Sequence, residues 1–302
     1  MRNNKPDLYE YAPEILSRYL KHFLRERKAV CRQEGIESLH RMRVASRRLR
    51  AALSVFQEIL PAGKVKGWRC EVRRIGRTLG QGRQIDIQIR YLEKAGEELE
   101  PATHGANIRF MIRLLDKRRK EIQKQIKLVL NKNRMKRRFS GLKSGIEGLG
   151  AGDNINAGAA FTAHRRGVII KRINLVRSLR SYVHDPANAK ELHLLRIAAK
   201  NLRYTLEIFR PWYGRKVDRY IRSSRDIQDV LGDFRELDVL LEFLSEVGRL
   251  RRQDNSFRET VEHLAGNYDV LRKNTYLEFS RLWERTPFAR ATPPKITASS
   301  PS

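Results

Sequence analysis

Apolar residues return every three to four positions along most of the chain, and period-two alternation bounded by turn residues is hard to find. That pattern predicts an all-α fold. Starting from Leu39, the residues Met42, Ala45, Leu49, Ala52, Leu53 and Phe56 gather on one side of a helix that advances about 100° per residue, and this side predicts core. Val65, Trp68, Val72, Ile75 and Leu79 follow at alternating steps of three and four, the seam of a helical bundle. Breaks are expected near Gly35, at Pro61 to Gly63, near Pro101, from Gly141 to Gly158, at Asp185-Pro186 and at Pro211 to Gly214. Residues 141–160 read as a glycine-rich linker and 286–302 as a disordered tail.

The chain contains two copies of one helical unit. Leu39 to Phe56 aligns without gaps on Leu192 to Phe209, sharing Leu39/Leu192, His40/His193, Arg43/Arg196, Ala45/Ala198, Leu49/Leu202, Arg50/Arg203, Leu53/Leu206 and Phe56/Phe209. Val65 to Leu92 then matches Val217 to Leu244, through Arg73/Arg225, Leu79/Leu231, Gly80/Gly232, Arg83/Arg235 and Asp86/Asp238. The seam of the first copy is echoed by Val217, Tyr220, Ser224, Ile227 and Leu231. Repeat one spans about 8–140 and repeat two about 161–285.

Charge adds a partner to this picture. The 302 residues hold 63 Lys and Arg against 34 Asp and Glu, a formal charge of +29, and so large an excess repels itself unless an anion offsets it. His40, Arg43, Arg47 and Arg50 stand at i, i+3, i+7 and i+10, a stripe beside the apolar face, and His193, Arg196, Lys200 and Arg203 repeat it. A basic stripe on a single helix is ordinarily a solvated face. Recurrence at four matched positions in two copies favours a binding face, because solvation demands only polarity. Arg73, Arg77 and Arg225 lie off the seam of the next helix, where they can face the same groove. Asp86 and Asp238 follow Arg83 and Arg235 at ion-pair spacing, which reads first as structural. The basic run from Lys117 to Arg138 reads as a solvated helix at least as well as a site.

At LHRMRVASRRLR and LHLLRIAAKNLRYTLE, and again at LGQGRQID and LGDFRELD, the chain resembles the CHAD family, the conserved-histidine α-helical domain, from about Tyr11 to Trp283. The resemblance implies a pair of four-helix bundles related by a pseudo-twofold axis, with a basic central cavity that binds inorganic polyphosphate. It implies that His40, Arg43, Arg47, Arg50, His193, Arg196, Lys200 and Arg203 line that cavity. The family often places aspartate directly after the arginine of its LGxxR segment, where this chain has Gln84 and Glu236. Some members carry a triphosphate-hydrolysing domain with an ExExK signature. Here Glu98 and Glu100 are followed by Ala102, so no such enzyme half is expected.

Three function classes follow. Binding of a linear polyanion needs cations at repeated spacing and nothing that reads bases, which the stripes supply. Nucleic-acid binding is the alternative; against it, Phe56 and Phe209 lie on the apolar side and no aromatics interleave the cations, so only weak affinity at low salt is expected. A metal or phosphohistidine role comes third: the seven histidines form no HxxxH or HExxH pattern, and no carboxylate pair or phosphate loop accompanies them. No cofactor, metal or catalytic residue is therefore expected. Cys31 and Cys70 read as plain thiols, and with neither an apolar leader nor about 18 consecutive apolar residues the expectation is a cytoplasmic protein without membrane attachment, on polyphosphate granules where these form.

Overall fold

The chain folds into helices, and no described residue lies in a strand. The structure, a computed structural model, describes residues 8–32, 35–99, 102–151 and 157–290. In order come α1 (Leu8–Cys31), α2 (Gly35–Val55), α3 (Ala62–Glu98), α4 (Ala102–Val129), α5 (Lys132–Arg138), α6 (Leu142–Glu147), α7 (Ala157–Arg177), α8 (Ala189–Tyr213), α9 (Asp218–Leu250) and α10 (Asn255–Glu284). At 1.5 Å per residue, α3 and α9 run for about 55 and 50 Å.

These two long helices connect two cores. α1, α2, α7 and α8 close a larger core with the first parts of α3 and α9 and the last turns of α4 and α10; the later parts of α3 and α9 close a smaller one with the first parts of α4 and α10. The apolar side read from Leu39 to Phe56 is buried throughout, as are Val65, Trp68, Val72, Ile75 and Leu79. In the second copy Val217, Ser224, Ile227 and Leu231 are buried in the same way, and only one seam position differs. Ile221 is buried, whereas Tyr220 is half-buried beside Phe288.

Contacts between the halves pair α1 with α7, α2 with α8, α3 with α9 and α4 with α10. Phe56 and Phe209, matched in the repeat, meet edge to face with ring centroids 6.5 Å apart. Two polar links reinforce the junction: the Tyr11 hydroxyl donates to the Ile208 carbonyl at 2.7 Å and the Tyr268 hydroxyl to the Tyr91 carbonyl at 2.7 Å.

The breaks expected near Gly35, at Pro61 to Gly63, at Asp185-Pro186 and at Pro211 to Gly214 coincide with helix boundaries, the last of them only at its far end. α8 passes through Pro211 and ends at Gly214, whose φ of 55° most side chains avoid. Proline removes one helical hydrogen bond, but burial of Trp212 and Tyr213 just beyond it holds the last turn in place. Two further breaks were readable as caps. Asn131 accepts from the amides of Asn133 and Arg134 to start α5, and Asp254 accepts from the amide of Phe257 at 3.0 Å to start α10. The break near Pro101 lies outside the described residues.

Part of the stretch expected to be a linker is core. Leu142, Ile146 and Leu149 are buried against the larger core, and α7 begins at Ala157; residues 152–156 lie outside the described residues. Packing also continues past residue 286, where the tail was expected to start. Phe288 is fully buried and the Thr286 hydroxyl donates to the Trp283 carbonyl, while 291–302 lie outside the described residues. Among the described residues no helix is long and apolar enough to cross a membrane.

Candidate functional site

The two cationic stripes meet where α2 packs on α8. Arg43, Arg47 and Arg50 from the first half and Arg196 and Lys200 from the second are all half-buried, which brings side chains about 150 residues apart in sequence into one electrostatic cluster. Burial pushes the Arg43 pKa down to about 10, with Arg47, Arg196 and Arg83 adding to the effect and Glu236 opposing it. Lys200 falls further, to about 7, through burial and then through Arg196, Arg47, Arg50 and Arg43. Arg196 and Arg50 shift in the same direction, again by burial first. The arginines stay charged at neutral pH; Lys200 is divided between its two forms.

Gly232 on α9 lies beneath Arg196, whose Nε is 3.6 Å from where a Cβ would stand. The buried Nε atoms of Arg47 and Arg196 and the buried Nδ1 of His193 have no hydrogen-bond partner within the protein. Buried polar atoms normally find partners, and these three lie in one cluster.

Each histidine is governed by its own half. Burial lowers the His40 pKa, with Arg83, Arg47 and Arg43 contributing against Glu37; burial lowers that of His193, with Arg196, Arg235 and Lys200 contributing against Asp238. The remaining expected residues divide. Arg73 is exposed on α3 and is the foremost charge acting on Arg50, which places it at the edge of the cluster. Arg203 is half-buried, 3.6 Å from Glu207 and 4.8 Å over the Tyr204 ring, and its buried Nε also has no hydrogen-bond partner. Arg225 is exposed on α9 and is not among the main charges acting on Arg43, Arg196 or Lys200.

The ion pairs read within α3 and α9 are partnered differently. Asp86 takes Arg119 of α4 at 2.7 Å rather than Arg83, and Asp238 takes Arg272 of α10, with Arg235 at 3.7 Å and closer to Glu242. Arg83 is thereby left to the cluster. Arg119 and Arg272 are a further matched pair that the short alignment did not reach.

Sequence reasoning also missed the acidic side of the site. Burial and Asp233 raise the pKa of Glu236, while Arg83, Arg196 and Arg90 lower it; burial, Asp229 and Glu278 raise that of Asp233, against Arg196. Glu236 is the internal counter-anion of the cluster. It stands in the LGxxR segment, but its partners come largely from other helices.

Arg77 belongs to a different feature. It lines an open groove of about 710 Å³ between α3 and α5, with Lys64, Arg73, Arg74, Arg134 and Arg138. Among the described residues no group of three or more His, Cys, Asp or Glu side chains is placed to hold a metal ion.

Sequence comparison places this helical arrangement. The chain matches the CHAD domain family over residues 14–245. It belongs to the CHAD family. The match ends within α9, but similarity to solved structures extends across the whole fold. The CHAD domain from the plant Ricinus communis superposes with a TM-score of 0.70 at 24% identity, covering 91% of this chain and 90% of that one. PptA from Streptomyces chartreusis superposes with a TM-score of 0.64 at 15% identity, covering 93% of this chain and 100% of that one. At these identities both neighbours speak to fold alone. No curated protein sequence is significantly similar to the chain.

Proposed function

We propose that this CHAD protein binds a linear polyanion without transforming it, and that the polyanion is inorganic polyphosphate. One observation carries the reading: Arg43, Arg47, Arg50, Arg196 and Lys200 are driven together, half-buried, with Glu236 as their internal counter-charge. Gathering like charges away from water destabilises a fold, and helix packing could avoid it with apolar residues of similar size. A bound chain of phosphates reverses the sign of that interaction and supplies acceptors for the unpartnered nitrogens of Arg47, Arg196 and His193. In this reading the halves are related by a pseudo-twofold axis passing between α2 and α8. It is supported by the contact of each helix with its counterpart and by the meeting of Phe56 with Phe209. The polymer then lies in a basic cavity lined by His40, Arg43, Arg47, Arg50, His193, Arg196 and Lys200.

Competition at moderate salt tests the proposal. Long-chain polyphosphate is expected to displace DNA of equal total charge, since the cluster offers forked guanidinium donors and no exposed aromatic platform for bases. Tighter binding of the DNA would overturn the choice of ligand. Because arginine and lysine need no bridging cation, binding is expected to survive a chelator; its loss, with recovery on adding a divalent metal, would put the histidines in a ligand role.

A further inference from the structure

The groove between α3 and α5 stands apart from the buried cluster, yet its charges are disposed for an anion. Six cations face one carboxylate there, and that carboxylate is already held: Arg74 donates to both Glu71 oxygens and Arg134 lies 3.8 Å away. Glu71 therefore offers little repulsion to a ligand. Lys64, Arg73, Arg77 and Arg138 form no ion pair with any carboxylate among the described residues.

The groove is built to stay open. Nothing lies within 4 Å of where a Cβ would stand at Gly63 or Gly67, so one wall is bare backbone facing free space. Trp68 forms a buried floor, its ring edge 3.1 Å from a Cβ built on Gly145. Opposite, α5 is fixed by its Asn131 cap and by buried Met135, and it carries Arg134 and Arg138 four residues apart on one face.

Arg73 joins the groove to the cluster, because it lines the one and is the foremost charge on Arg50 in the other. On the second-half side Lys216 and Arg225 match Lys64 and Arg73, but carboxylates enter next to the cluster. The position matching Arg77 is Asp229, which together with Asp233 acts on Arg196.

We propose that the α3/α5 groove binds the stretch of a linear polyphosphate that emerges from the buried cluster past Arg73, so that the polymer leaves on the first-half side. This rests on the polyanion reading above and adds a second site of contact and a direction. A short oligophosphate fills the cluster alone; a long chain engages both.

The test compares tripolyphosphate with long-chain polyphosphate on the wild type, a Lys64→Glu/Arg138→Glu variant and an Arg113→Glu/Arg252→Glu control. All four positions are exposed and the two variants change total charge equally. The groove variant is expected to bind the long chain about tenfold or more weakly, with a salt slope shallower by about 1.4 for two lost phosphate contacts, while tripolyphosphate binding follows the control. Lys64→Ala/Arg138→Ala should show the same pattern more mildly, and thermal melts check that each variant folds. Equal long-chain losses in groove and control variants would overturn the proposal, as would an equal loss of tripolyphosphate and long chain in the groove variant. Arg196→Glu separates the two readings: it should abolish binding of both lengths, and that result leaves the cluster assignment standing whatever the groove variant shows.

Discussion

Arg43 of α2 and Arg196 of α8 occupy matched places in the two halves, and the charge of Arg196 lowers the proton affinity of Arg43 across the helix contact. Two cations so placed oppose the packing that brings them together. Their worth must then show in a ligand-bound state. Replacing both by methionine should raise the unfolding temperature of the free protein, because an apolar stem of similar length removes the repulsion; relief of about 1–4 kcal/mol is the range for buried charges exchanged in this way. The same change should remove most polyphosphate affinity. A fall in both stability and affinity would make the arginines structural.

Lys200 provides a pH signature. Its pKa in the folded protein is about 7, against 10.5 in an unfolded chain, so the unfolded state binds more protons between those values and stability rises with pH across that window. Below pH 7 the destabilisation is fully present. A polyanion favours the protonated amine, so binding near pH 7 to 8 should take up protons and affinity should fall as pH rises through that range. Calorimetry in buffers of different ionisation enthalpy measures the uptake directly. Lys200→Met should abolish it; unchanged uptake in that variant would assign the proton to His40 or His193.

The apolar side of α2, the seam of α3 and the second copy of each were legible because 3.6-residue periodicity and an ungapped repeat are local signals. The stripes were legible for the same reason. What the sequence left unread was the partner of each charged group across the bundle. Asp86 could be matched to Arg83 by spacing alone, whereas its actual partner, Arg119, stands on another helix. Glu236 and Arg134 acquire their roles from α2, α8 and α3, and no periodicity within one helix reports on that. Leu142, Ile146 and Leu149 were masked by the glycines around them, yet their spacing of four and three is itself a helical signal.

Glu236 should act as a built-in competitor for the cluster. Its carboxylate offsets part of the charge on Arg83, Arg196 and Arg90, so a polyanion must displace or share that interaction. Glu236→Gln keeps the shape and removes the charge. Polyphosphate affinity should rise by about fivefold, the equivalent of about 1 kcal/mol for one interaction at an effective dielectric between protein and water, and the free protein should lose stability. Gln84→Glu, at the matched position of the first half, should do the reverse. Titrations of both variants at one salt concentration decide the matter, and weaker binding by the Glu236 variant would mean that the carboxylate positions the arginines instead of competing for them.

The pairs Asp86 with Arg119 and Asp238 with Arg272 fasten α3 to α4 and α9 to α10 at matched points, and both carboxylates are largely shielded from water. Arg272 also lies 4.4 Å over the Phe234 ring, so its position is set by packing as well as by charge. Asp86→Ala or Asp238→Ala leaves an arginine without its counter-charge in a partly buried place, and each should cost about 3 kcal/mol in urea unfolding. Removing both partners of a pair, as in Asp86→Ala/Arg119→Met, should cost less than the single aspartate change, because no orphaned charge remains. His193 feels Asp238 whereas the main charges on His40 do not include Asp86, so only the Asp238 variant should also lower the histidine pKa of its half. Proton chemical shifts of the two imidazoles across a pH series check this. Equal shifts at His40 and His193 in the Asp238 variant would show that the halves respond as one unit and that each histidine is not set by its own half.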